Sequence, residues 1–295
     1  MEAIYDSNLE SIPLLCKGKV RDLYDLDERH ILMVASDRLS AFDVVFPTPI
    51  PDKGRVLTSL STFWFDKTAA IVPNHTTDIA ASDRVVELKH QPQLAERSMV
   101  VKKTKPLAVE AIVRGYLYGS AWNDYQDSGK LCGISLDTGL QLGERLPEAV
   151  FTPTTKAEIG AHDSPISFEQ MANSVGTQMS AEIRDTALEI YQLCSDYAYE
   201  RGIIIADTKF EFGVDAEGRL VLIDEILTPD SSRFWDLQSY RPGTEPTSFD
   251  KQYIRNYLIQ QNWDVQTPPP ELPLEIVEQT TEKYRWIENL LMGQD

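Results

Sequence analysis

Between Ile203 and Trp235 two short apolar runs each deliver carboxylates. Ile203-Ile204-Ile205-Ala206 leads into Asp207, and Leu220-Val221-Leu222-Ile223 leads into Asp224 and Glu225. Carboxylates so placed can hold Mg²⁺ on a nucleotide's phosphates, because magnesium takes hard oxygen ligands, one or two carboxylates beside phosphate oxygens and water. Aspartates next to turns more commonly face solvent. Here Lys209 and Glu211 alternate with Phe210 and Phe212, so one face of the segment is charged beside a core strand, and Thr228-Pro229-Asp230-Ser231-Ser232-Arg233 follows closely. A polar cluster against buried strands points to a site.

Two further stretches carry chemistry. In Leu14 to Leu26, LLCKGKVRDLYDL, apolar and polar residues alternate around Gly18, with Lys17, Lys19 and Arg21 on or beside the turn. Such a hairpin can act as a flap whose backbone N–H groups and cations cover phosphates; the plain alternative is an exposed tip with solvating lysines. In Glu110-Ala111-Ile112-Val113-Arg114-Gly115, strand alternation puts Glu110, Ile112 and Arg114 on one face. Charges flanking an isoleucine on an apolar strand are unusual. They make either a buried ion pair or a site in which Arg114 meets an anionic substrate and Glu110 the ribose hydroxyls of a nucleotide.

The elements that must position these groups follow from periodicity. The two apolar runs around Val214 to Gly218 read as a β-hairpin. Antiparallel pairing sets Asp207 and Asp224 at opposite ends unless Lys209 to Phe212 extends the ladder, and the sequence leaves that register open. His30 to Ala35 is a core strand running into the polar loop Ser36-Asp37-Arg38-Leu39-Ser40-Ala41-Phe42-Asp43, a common place for binding residues. Strands are also expected at Arg84 to Leu88, Ser98 to Lys102 and Leu107 to Val113, completing an N-terminal sheet. Helices are expected from Arg55 to about Ala70, Gly119 to Gln126, Phe168 to Arg201 with a break near Gly176, Ser248 to Gln261 and Leu274 to Leu291. Residues between the second of these and Pro153 read as irregular.

Composition narrows the partners. The formal charge of −18, from 28 Lys and Arg against 46 Asp and Glu, disfavours nucleic acid and anionic membrane surfaces. Small anions need a local basic pocket, so the few clustered cations are informative. No apolar run reaches the ~20 residues of a membrane span and the N-terminus is acidic, so the expected compartment is the cytoplasm. Cys16, Cys132 and Cys194 show no CxxC spacing and His30, His75, His90 and His162 no HxxxH pairing, which argues against zinc.

ADTKFEFG and DEILTPDSSRFW resemble the C-terminal signature region of the SAICAR synthetase family, and GKVRDLY, SDRLSAFD and EAIVRGYLYGS extend the resemblance over nearly the whole chain. It implies a two-lobed α+β fold: an N-terminal antiparallel sheet lobe (1–115) carrying the flap, and a larger C-terminal α/β lobe (116–295) with metal and substrate residues, the ATP site lying between. It implies an ATP-dependent ligase of purine biosynthesis that joins L-aspartate to carboxyaminoimidazole ribonucleotide, with ATP and Mg²⁺ as cofactors and a monomer as the working form. Carried onto this sequence, the ATP residues are Lys17, Gly18, Lys19, Arg21, Lys102, Glu110 and Asp224. The substrate residues are Asp37, Arg38, Ser40, Arg114, Ser120, Asp230, Ser231 and Arg233. Lys19, Lys209 and Asp207 are the catalytic set, Asp207 and Asp224 the metal ligands. Thr152 to Lys156 and Gly160 to Asp163 resemble family motifs near the nucleotide.

A carboxylate is a poor acyl donor, so ATP must phosphorylate it before an amine attacks, a step that needs charge neutralisation more than a protein nucleophile. Two readings compete. A small-molecule kinase would share the flap and carboxylates, but no HRD or DFG motif is present. A nucleotide-sensing binding protein would have no use for the second anion pocket that Arg114 and Arg233 suggest.

Overall fold

The computed structural model describes residues 3–156 and 163–293. Strands β1 (Leu14–Lys17), β2 (Arg21–Asp25) and β3 (His30–Ala35) form a meander, followed by the small hairpin β4 (Ser40–Ala41) and β5 (Val44–Val45). Helix α1 (Lys53–Thr68) buries Val56, Leu57, Leu60, Trp64 and Phe65 along one stripe. Short helices α2 (Ala81–Arg84) and α3 (Pro92–Ala95) flank a 3₁₀ turn at Val86–His90, and β6 (Ser98–Lys102) then pairs with β3 to give a four-stranded antiparallel sheet ordered β1-β2-β3-β6. The strand expected at Arg84 to Leu88 is therefore helical. Val85 and Leu88 are the buried pair, a spacing of one helical turn and not of a strand.

The chain changes sheets at Lys103 and Thr104, ahead of residue 115. β7 (Lys105–Tyr116), expected to complete the N-terminal sheet, instead pairs along its length with β12 (Ile203–Val214) in a six-stranded sheet. The reason is its composition: Val109, Ala111 and Val113 join the large core with Ile203, Ile205, Phe210 and Phe212. After α4 (Ser120–Ser128) and the hairpin β8 (Lys130–Leu131) and β9 (Ile134–Ser135), β10 (Arg145–Phe151) and β11 (Thr154–Thr155) pair with β7. This stretch reads as irregular in sequence because β10 bulges between Arg145 and Val150 and loses the two-residue period.

Helix α5 (Phe168–Val175) opens on a capping box of Ser167 and Gln170, and Gly176, at φ 91, turns the chain into α6 (Thr177–Tyr199). Ile183, Ala187, Ile190 and Cys194 bury against the sheet as their spacing requires, while Leu193 faces outward at 45% exposure. β13 (Leu220–Ile223) and β14 (Ser232–Asp236) pair with β12, and α7 (Gln252–Gln260) and α8 (Leu274–Met292) close the fold over α1.

Residues 73–76 stitch the two sheets together. Leu222 N–H donates to Pro73 O at 2.9 Å, His75 N–H to Leu222 O at 3.1 Å, and Lys102 N–H to His75 O at 2.7 Å. Among the described residues no helix is long and apolar enough to cross a membrane.

Candidate active site

β12 is the spine of the site. From Asp207 on, its period of two aims Phe210 and Phe212 at the core while Asp207, Lys209 and Glu211 border a cleft of about 640 Å³; Ile203 and Ile205 reach the same core because the register shifts between Ile205 and Asp207. The flap residues Gly18, Lys19, Val20 and Arg21 form the opposing wall, so both sheets contribute.

At one end the cleft is lined with carboxylates. Arg21 bridges out of the flap to Asp224 at 2.7 Å and to Glu225 at 2.8 Å. Lys209 Nζ lies 2.6 Å from Glu110 and 3.0 Å from Glu211, Lys156 also pairs with Glu211, and Thr154 donates to Glu110 at 3.1 Å. Burial pushes the Asp224 carboxyl up to about 6 against the pull of Arg21. For Glu211 burial acts the same way, but Lys209 and Lys156 override it and hold the group at about 2. Burial opposes the Lys209 charge, and Glu211 and Glu110 more than restore it, keeping the ammonium well above its usual range. Asp224 sits at φ 69, a left-handed conformation rare for a non-glycine residue and found most often at functional sites.

At the other end the cleft is lined with cations. Arg114 Nη1 lies 3.1 Å from Asp207, its Nε donates to Thr152 at 3.0 Å and its Nη2 to Ser120 at 3.3 Å. Arg233 pairs with the same Asp207 oxygen and lies over the Tyr118 ring, 5.3 Å from its centroid. A Cβ at Gly119, where φ is +61, would stand 2.6 Å from Arg233 Nη2, so only glycine lets the guanidinium in. Arg233 Nε is buried with no partner among the described residues, a donor available to a ligand. Burial lowers Arg114, and burial with Arg233 nearby lowers Arg255. Lys251 and Arg255, at the start of α7, complete this end.

The register resolves the question the sequence left open. Ile223 pairs with Glu211, so Asp224 emerges opposite Phe210, while Asp207 pairs with Arg114 on one side and Arg233 on the other. Three strand positions, about 10 Å, separate the two aspartates. Long-range pairing through β7 and β14, invisible locally, draws Asp207 to the arginines and sets it apart from Asp224 within the cleft.

Gly18, Lys19, Arg21, Ser40, Glu110, Arg114, Ser120, Asp207, Lys209, Asp224, Asp230, Ser231 and Arg233 all line the cleft. Lys17, paired with Asp6 at 2.6 Å, and the exposed Lys102 do not. Asp37 and Arg38 also stay outside it. Asp37 is buried under Arg97 at 2.5 Å and accepts from the Gly54 and Ile4 N–H groups, while Arg38 binds Asp22 at 2.7 Å and the Gly18 and Lys19 carbonyls at 3.1 Å. Arg38 braces the flap from behind and Asp37 ties the loop to α1 and Arg97, because the loop turns these side chains inward. Gly160, Ala161 and His162 lie outside the described residues; Lys156 and Asp163 border the cleft. Sequence reasoning missed Lys53, Asp250, Lys251 and Arg255, although Lys251 and Arg255, four apart at a helix start, form a recognisable pair.

Residues 14–270 match the model of the SAICAR synthetase family. The chain belongs to the SAICAR synthetase family. It is 54% identical to the phosphoribosylaminoimidazole-succinocarboxamide synthase of Thioalkalivibrio sulfidiphilus over 96% of each chain, and 52% identical to that of Methylococcus capsulatus over 99% of each. The Saccharomyces cerevisiae SAICAR synthase solved in complex with SAICAR superposes with a TM-score of 0.91, at 42% identity and 99% coverage of both chains. The SAICAR synthetase reaction is the ATP-dependent ligation of L-aspartate to carboxyaminoimidazole ribonucleotide in purine biosynthesis, and it is the reaction of this chain. The kinase and binding-protein readings fall.

Proposed function

We propose that the cleft divides the ligation between its two ends, ATP at the carboxylates and the ribonucleotide at the arginines. The observation that carries this is the separation of opposite charge along the cleft: Glu211 of β12 with Asp224, just past β13, at one end, and Arg114 of β7 and Arg233 of β14 clamping Asp207 at the other. The flap's N–H groups with Lys19 and Arg21 cover the phosphates, and Glu110 meets the ribose. Arg114, Arg233 and Ser120 take the substrate phosphate, where a planar fork can bond two oxygens at once. Asp207 orients both guanidiniums.

Mg²⁺ fits the first end. Among the described residues no three His, Cys, Asp or Glu side chains converge as a closed ligand cluster, and magnesium on a nucleotide asks for only one or two carboxylates. Asp224 with Glu211 would hold the ion, which neutralises phosphate charge during transfer. The protein's own part is to fix both anions, exclude water between the lobes and present Lys209 to the transferring group. One chain lines both ends of the cleft, which supports a monomer as the working unit, and the charge of −18 supports small-molecule partners in the cytoplasm.

Mn²⁺ binding in the presence of ATP, followed by electron paramagnetic resonance, tests the division. Asp224→Asn should weaken binding by about tenfold or more, and Asp207→Asn should leave it unchanged. The reverse pattern would return the metal to Asp207.

A further inference from the structure

Three groups compete for the Asp230 carboxylate. Lys53 Nζ lies 2.7 Å and Lys251 Nζ 3.0 Å from its Oδ2, and the Tyr284 hydroxyl donates to Oδ1 at 2.8 Å. They come from different elements: Lys53 opens α1, Lys251 immediately precedes α7, and Tyr284 lies within α8. The side chains of Lys53 and Asp230 are 0% and 1% exposed and that of Lys251 is 12% exposed; of the two lysines only Lys251 borders the cleft.

Two ammonium groups on one carboxylate leave an excess positive charge, and Lys53 disfavours the protonation of Lys251. Burial pulls Lys251 below the usual lysine range; Asp230 opposes that shift and Lys53 adds to it, while Glu225 acts with Asp230. Asp250 stands next to Lys251 in the chain, and Tyr284 reaches it only through Asp230. A lysine that can shed its proton on the wall of a cation-lined pocket has a use in this reaction, since amide formation from the L-aspartate amine releases a proton.

We propose that Lys251 accepts the proton released when the aspartate amine attacks the phosphorylated carboxylate, and that Lys53 is a positioning residue that tunes Lys251 by sharing Asp230. The proposal rests on the ligase reading above. In this step the N–C bond forms and the C–O bond to the phosphoryl group breaks. Phosphate leaves with the electron pair, and the amine proton passes to Nζ of neutral Lys251, which later returns it to solvent.

Lys251→Arg keeps the cation and removes the base. With L-aspartate its kcat should fall by about 100-fold or more, the usual yield of a positioned base. Hydroxylamine given to the wild-type enzyme in place of L-aspartate should trap the phosphorylated carboxylate as a hydroxamate. Lys53→Met should move the acid limb of the kcat profile to higher pH by about one unit, with kcat recovering in alkali, and Lys53→Arg should restore the limb. Structural damage would depress kcat at every pH and move no limb. If Lys53→Met does not fold, Tyr284→Phe, which strips a neutral donor from Asp230, should move the limb in the same direction by less. Retention of kcat by Lys251→Arg within about threefold, against the loss expected for a missing base, would overturn the proposal. So would an unmoved limb in the folded variants. Failure of the wild-type enzyme to form hydroxamate would instead remove the phosphorylated carboxylate, and the proposal with it.

Discussion

The lysines of the flap tip and the arginine end of the cleft both use ion pairs, but in opposite surroundings. Lys17 with Asp6 and Lys19 with Asp43 are pairs in which most partners are close to half exposed, whereas Asp207, Arg114 and Arg233 are 7%, 10% and 19% exposed. Exposed pairs contribute roughly 0–1 kcal/mol and exchange readily for a ligand. A buried pair, once formed, leaves an uncompensated charge if one member is removed. The flap tip is therefore built to trade partners with a ligand, and the arginine end to hold its shape whether or not a ligand is present.

The sharpest test removes the shared anion. Asp207→Asn leaves two buried guanidiniums facing one another and should lower unfolding free energy by about 3–5 kcal/mol, read as the urea midpoint. A loss below ~1 kcal/mol would mean the arginine end is as exchangeable as the flap.

Next is geometry at constant charge. Arg233→Lys should raise KM for carboxyaminoimidazole ribonucleotide by an amount equivalent to about 1.5–3 kcal/mol and leave KM for ATP unchanged. A rise in KM for ATP would show that the two ends are not separate.

The junction between the two regions has its own signature. His75 is buried, its Nε2 has no partner among the described residues, and burial with Arg21 and Lys102 nearby drives its pKa down to about 3. The unfolded chain binds this proton below about 6.5 and the folded chain does not until about 3. This group's penalty is absent above the upper value and grows as pH falls through the window, by up to about 1.4 kcal/mol per pH unit. His75→Gln should flatten the fall in stability between pH 6 and pH 4, measured by urea unfolding at each pH. An unchanged slope would place the acid sensitivity elsewhere.

The smallest effect belongs to the flap. Lys19→Ala should change stability by no more than about 0.5 kcal/mol while raising KM for ATP. A large drop in melting temperature with ATP kinetics intact would make the hairpin structural and erase the contrast.

Short-range patterns carried the flap, the β12 face and the Gly176 break, because alternation and a helical stripe are written within a few residues. Glu110 and Arg114 stood out for the same reason, as charges on an apolar strand. What stayed hidden depended on partners distant in the chain. The register that splits Asp207 from Asp224 is set by Arg114 and Arg233, and the inward turn of Asp37 and Arg38 by Arg97 and Asp22. β7 went to the other sheet because a sequence shows that a strand is apolar but not which neighbour it will choose. Lys53 lies just ahead of the helix expected from Arg55, and nothing nearby in the chain marks it; its meaning lies in Asp230, far along the chain.

The two-residue period of β12 also limits how the gene can vary. Substitutions within the strand alter one group at a time, but an insertion or deletion of a single codon between Asp207 and Glu211 would turn every residue beyond it to the other face. Charge would enter the core and phenylalanine the cleft. Descent with change through this segment is therefore expected to proceed by replacement, or by codons in pairs, and a library that samples single-codon indels there should return no active clone.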